Sequence, residues 1–76
     1  MNFDELSKKI LHDPAIKSKL ADALRRQMLD ITVVSRTDAI GLRNWICQLY
    51  SLSISDFDNV YMWQLKELGY QLLESD

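Results

Sequence analysis

The chain is poor in the residues that covalent scaffolding and metal chemistry usually need: one cysteine, one histidine, one proline and two glycines. A lone Cys47 cannot close an intramolecular disulfide, which excludes a stapled secreted mini-protein and points to a reducing, cytoplasmic setting. His12 has no second histidine and Cys47 no second cysteine, so zinc-ligand spacing is absent and neither metal nor cofactor is expected. No apolar run approaches the roughly 18 residues of a membrane span, and Met1-Asn2-Phe3-Asp4-Glu5-Leu6 carries acids where a signal peptide needs a basic start. There is no Gly-rich phosphate loop and no Gly-x-Ser-x-Gly, and a chain this short leaves little room for a water-excluding cleft. The expectation is a non-enzymatic protein with no membrane association.

What the chain does have is apolar content. Forty-seven per cent of its 76 residues are hydrophobic and 26% charged, too much apolar surface and too few breakers for a disordered tail. Residues 1–76 are expected to form one small helical domain. The formal charge of −2 lacks the strong basic bias of a nucleic-acid coat or a polybasic membrane anchor. It is unevenly shared, with residues 1–36 carrying a net +2 and residues 37–76 a net −4. Such a split steers partners and favours head-to-tail self-association, or else marks two ordinary solvated faces.

Helical periodicity dominates. Phe3, Leu6, Ile10 and Leu11 mark a first helix over residues 3–12, with Asp4 and Glu5 where the helix dipole favours acids. Asp13-Pro14 is a start signal, an N-cap followed by proline at the first position, and opens a second helix through residue 29. Ile16, Leu20, Ala23, Leu24, Met28 and Ile31 form its stripe. Ile31-Thr32-Val33-Val34 is β-branched throughout, so it is a candidate short strand leaving the second helix before Ser35. Thr37 or Asp38 caps a third helix through Tyr50, with Leu42, Trp45, Ile46 and Leu49 at core spacing and Cys47 beside them as a core thiol. Ser55 and Asp58 approximate a capping box for a fourth helix, whose stripe is Phe57, Val60, Tyr61, Leu65 and Leu68. Gly69 stands where a C-terminal cap usually does, and residues 70–73 are either a last helical turn or an extended partner for residues 31–34. The fold class is therefore all-α: about four short helices in a compact array, with a minor two-stranded pairing left open.

Two other patterns bear on function. Asp56-Phe57-Asp58-Asn59 opens like a calcium loop, but the sixth position, which needs glycine, is Tyr61, and the twelfth, Glu67, falls within an apolar helical pattern. The acids therefore read as residues of a helix start. The stretch from Ile46 through Ser51-Leu52 and Phe57 to Trp63 resembles a helix-turn-helix motif, with Ile46 and Cys47 packed inside its first helix and Phe57 and Val60 anchoring its second. That resemblance implies a DNA-binding regulator. Yet the turn holds Ser51 in place of the usual glycine, and the start of the would-be recognition helix offers Asp56 and Asp58, which phosphate repels.

The leading expectation is a module that binds another protein, as an adapter, inhibitor or small regulatory subunit. Trp63, Met62 and Tyr70 lie off the main stripe of the fourth helix and are its candidate anchors, because Trp and Tyr dominate interface hot spots. Asp56 and Asp58 would select a basic partner. A homodimer is a further candidate, since a domain this small buries only about 60% of its unfolded surface. The alternative is a small helix-turn-helix DNA-binding regulator using Lys17, Lys19, Arg25 and Arg26 on the second helix.

Overall fold

The computed structural model describes residues 1–74, and four helices account for most of them: α1 (Phe3–Leu11), α2 (Pro14–Gln27), α3 (Arg36–Tyr50) and α4 (Met62–Glu74). Each of the first three starts on a side-chain cap that satisfies orphan backbone donors. Asn2 Oδ1 accepts from the Asp4 and Glu5 amides at 3.0 and 3.3 Å. Asp13 Oδ1 accepts from Ala15 and Ile16, each at 3.2 Å, with Pro14 in the first turn. The third helix is capped by Ser35, ahead of Thr37 and Asp38. Ser35 Oγ accepts from the Asp38 amide at 3.1 Å, and Asp38 Oδ2 accepts from the Ser35 amide at 3.0 Å, a reciprocal capping box.

Several expected boundaries move, each for a local reason. Helix α2 stops at Gln27, not at residue 29, because Met28 turns to extended backbone with ψ 131°. Asp30 then folds the chain over, accepting from the Thr32 amide at 2.9 Å and the Thr32 hydroxyl at 2.6 Å, a competing turn that Asp and Thr favour over helix. Ile31 is consequently exposed rather than part of the α2 stripe, and Val34 alone of residues 31–34 is buried. No strand occurs among the described residues, and residues 70–73 continue α4 as helix.

The segment between α3 and α4 departs most from expectation. Helix α3 ends at Ser51, whose φ of 53° puts a non-glycine residue in the left-handed region. Residues 54–57 form a single 3₁₀ turn, in which Asp56 Oδ2 accepts from the Ser53 amide at 2.9 Å. The cap is thus Ser53 with Asp56, not Ser55 with Asp58, and the fourth helix opens at Met62. A helix-turn-helix joins its helices by a turn of about 3–4 residues. Here residues 51–61 intervene, so the tight turn of that motif does not form.

The helices form one core. α4 packs on α2, α3 and α1, and α2 packs on α1 and α3, while the backbones of α1 and α3 stay apart. The array is therefore a rhombus with α2 and α4 on its short diagonal, and the α1/α4 edge lies opposite the α2/α3 edge. Ile10, Leu20, Leu24, Leu42, Ile46, Leu68, Leu72 and Val34 are its largest fully buried side chains. Phe57 brings the 3₁₀ turn onto Phe3, edge to face with ring centroids 6.2 Å apart. A radius of gyration of 11.2 Å agrees with the roughly 11.4 Å expected of 76 folded residues.

Gly69 is not a cap but sits inside α4, where it admits the α2–α3 loop. A Cβ there would stand 3.2 Å from Val34 Cγ1 and 3.3 Å from Cγ2, so its absence lets Val34 reach the core. None of the helices is long and apolar enough to cross a membrane.

Candidate functional site

Trp63 is 67% exposed on the first turn of α4. Its neighbours along the helix explain why: Leu65, Leu68 and Leu72 take the core face, and position 63 falls outside that stripe. Trp63 borders a groove of about 130 Å³ between α1 and α4, lined also by Phe3, Asp4, Ser7, Gln64, Glu67, Leu68 and Gln71. Buried Phe3 and Leu68 give this groove an apolar floor, while Asp4 and Glu67 put two carboxylates on its walls. Ser7 Oγ lies there without a hydrogen-bond partner.

A second hollow of about 360 Å³ adjoins it, sharing Phe3, Asp4 and Gln64 and adding Asp56, Asn59 and Val60. The two run together along the α1/α4 edge as a surface bearing Asp4, Asp56 and Glu67. Among the described residues no Lys, Arg or His lines either hollow, and Met1 and Asn2 complete the second. Gln64 ties the wall in place, its Oε1 accepting from the Tyr61 amide at 2.8 Å.

The opposite edge has the other sign. Between α2 and α3 lies a groove of about 390 Å³ lined by Lys19, Asp22, Ala23, Arg26, Gln27 and Trp45. Trp45 is 39% exposed and so belongs to a groove wall, not to the core where its spacing places it. Lys19 and Arg26, seven residues apart, share this face. Asp22 stands 3.6 Å from half-buried Arg25 in a partly exposed ion pair, which leaves the two cations to set the local sign. Gln27 Nε2 donates to the Asp38 carbonyl at 2.9 Å and lies over Gly41, where a Cβ would meet Gln27 Oε1 at 2.5 Å. Gly41 thus allows the amide to clasp α2 to α3.

The residues singled out in the sequence divide accordingly. Trp63 and Asp56 lie along the acidic edge; Met62 is half-buried against the core. Asp58 is exposed beyond the 3₁₀ turn and lines neither hollow. Tyr70 is only 36% exposed, and its hydroxyl accepts from the buried Val34 amide at 3.1 Å, so this side chain fastens the α2–α3 loop to α4. Of the four basic residues, Lys19 and Arg26 come together, Arg25 faces Asp22, and Lys17 lies on another side of α2. Asp4, Glu67 and Trp45 were not apparent as site residues, because their partners lie on other helices.

Burial raises the Cys47 thiol above its ordinary pKa, an effect Arg43 opposes and Asp56 reinforces. The thiol is therefore held neutral, unlike a nucleophilic cysteine. His12 ends α1 with Nδ1 2.7 Å from the Lys8 carbonyl, a helix-terminal contact. Lys9 Nζ sits 5.3 Å from the Tyr50 ring centroid, bracing α1 against the end of α3. Among the described residues no three His, Cys, Asp or Glu side chains converge as metal ligands do. Compared with protein-family models, curated proteins and solved structures, the chain matches none.

Proposed function

We propose that this protein is a non-catalytic docking module whose α1/α4 edge binds a protein segment carrying both basic and apolar side chains. The observation that carries the reading is Trp63: a large aromatic two-thirds exposed at the rim of an apolar-floored groove walled by Asp4 and Glu67. Exposed tryptophan is costly to hydrate and is the residue most enriched at interface hot spots. Carboxylates around it steer a cationic partner and reject an anionic one. This disfavours a phosphate backbone at the same edge.

The test is anisotropy of a labelled amphipathic Leu/Lys peptide titrated with the full chain at low salt, beside a labelled mixed-sequence DNA duplex. The peptide should bind, and Trp63→Ala should weaken it at least about tenfold while helicity is retained. Unchanged binding by Trp63→Ala, or none by the parent protein, overturns the reading. Steeply salt-dependent duplex binding that needs Lys19 and Arg26 would instead favour a nucleic-acid role.

A further inference from the structure

The acidic edge and the basic groove lie on opposite sides of one small molecule, and each carries what the other lacks. We infer that a second copy of this chain is an occupant of the acidic edge: Trp63 and its flanking carboxylates dock into the α2/α3 groove of the next molecule, head to tail. The inference rests on the docking reading of Trp63 and names its partner.

Three observations support it. First, the charges are complementary: Asp4 and Glu67 flank Trp63, while Lys19 and Arg26 flank Trp45. Second, the shapes differ in the useful sense. Trp63 is the more exposed tryptophan, and the opposite groove, at about 390 Å³, falls in the size range of ligand-accepting clefts, roughly 300–1,000 Å³. An indole entering beside Trp45 gains aromatic contact and leaves its carboxylates facing Lys19 and Arg26. Third, no residue lines both the acidic groove beside Trp63 and the basic groove beside Trp45, so the surfaces are separate and one molecule can use both at once. With a net charge of only −2, general repulsion between copies is weak.

A contact between two different surfaces is heterologous, so it propagates into open chains or rings and does not stop at a two-fold dimer. The decisive experiment is sedimentation velocity on the full chain from about 10 μM to 1 mM at about 50 mM salt, a range in which weak charged interfaces report themselves. The weight-average mass should rise past the dimer with concentration and fall back at about 500 mM salt. Lys19→Glu with Arg26→Glu should abolish self-association, as should Asp4→Lys with Glu67→Lys. All four positions are exposed, and circular dichroism of each variant checks that it is folded.

Mixing the two charge-reversed proteins should restore association, because the intact acidic edge of the first meets the intact basic groove of the second and the two reversed surfaces are again opposite in charge. The mixture should therefore hold complexes of the two proteins in equal number that neither forms alone. A parent protein that stays monomeric throughout overturns the inference, as does a closed dimer indifferent to these substitutions or a mixture that remains monomeric. If the Leu/Lys peptide still binds through Trp63 in those cases, the docking reading stands and only the second copy is lost. If it does not, both fall.

Discussion

The two tryptophans give two grooves of similar design and opposite sign. Each pairs an indole with small or apolar residues and with charges, from α2 alone at the basic edge and from both α1 and α4 at the acidic one, yet Trp63 stands 67% exposed and Trp45 39%. The difference follows from the helix each occupies. α4 is on the short diagonal and spends Leu65, Leu68 and Leu72 on the core, which leaves position 63 outside. α3 flanks the array, and Trp45 lies beside buried Ile46 against α2. One indole is therefore free to enter a partner, while the other serves as a wall.

The harshest way to break the comparison is to remove what both edges share. Leu68 is buried and also floors the acidic groove. Leu68→Ala should cost about 2–5 kcal/mol, a large part of the roughly 4–11 kcal/mol expected of a domain this size. Urea denaturation followed by circular dichroism should show the midpoint collapse, and a loss of less than about 1 kcal/mol would mean that the site is not core.

Sharper discrimination comes from the tryptophans themselves. Trp45→Ala should lower stability by about 1–2 kcal/mol, given its partial burial, and Trp63→Ala by under about 1 kcal/mol. Binding of the basic peptide should show the reverse order, with Trp63→Ala far more harmful than Trp45→Ala. Equal effects of the two in both assays would erase the distinction between docking residue and wall.

Tyr70→Phe tests where the aromatic surface ends. Its hydroxyl holds the Val34 amide at 3.1 Å, so loss of the oxygen should cost about 1–2 kcal/mol by stranding a donor at a buried residue. Peptide affinity should be unaltered when measured well below the unfolding midpoint. Faster hydrogen exchange at the Val34 amide would locate the damage.

Cys47 should report the smallest effect. Because burial raises its pKa, the folded protein favours the neutral thiol. Stability from that preference is complete below the unfolded-state pKa and is lost as pH rises through the higher folded value. Alkylation by iodoacetamide at pH 8 should run slower in the folded chain than in urea, and an equal rate would remove the assignment.

Much of the fold was legible because its signals are local. Asp4 with Glu5, Asp13-Pro14 and the apolar spacing of Ile16, Leu20 and Leu24 act within a turn or two, where the helix dipole, capping and amphipathicity operate. The same reasoning misplaced the start of α4, because Ser53 with Asp56 closes a 3₁₀ turn that competes with helix over residues 54–57. It also placed Gly69 as a cap, where the real constraint is Val34, 35 positions away in sequence. Exposure of Tyr61 and Trp45 was illegible for a related reason: periodicity names a face, and packing decides which part of that face is covered.

The sequence by itself determined an all-α chain and a basic first half followed by an acidic second half, since caps, propensities and charges are properties of residues and their near neighbours. Tertiary structure alone decided which charges meet. It carried Asp4 out of the basic half to stand with Asp56 and Glu67 beside Trp63, and set Lys19 and Arg26 across the molecule beside Trp45. The physical reason is that a groove belongs to two helices, and its composition exists only once their shared core has fixed how they pack.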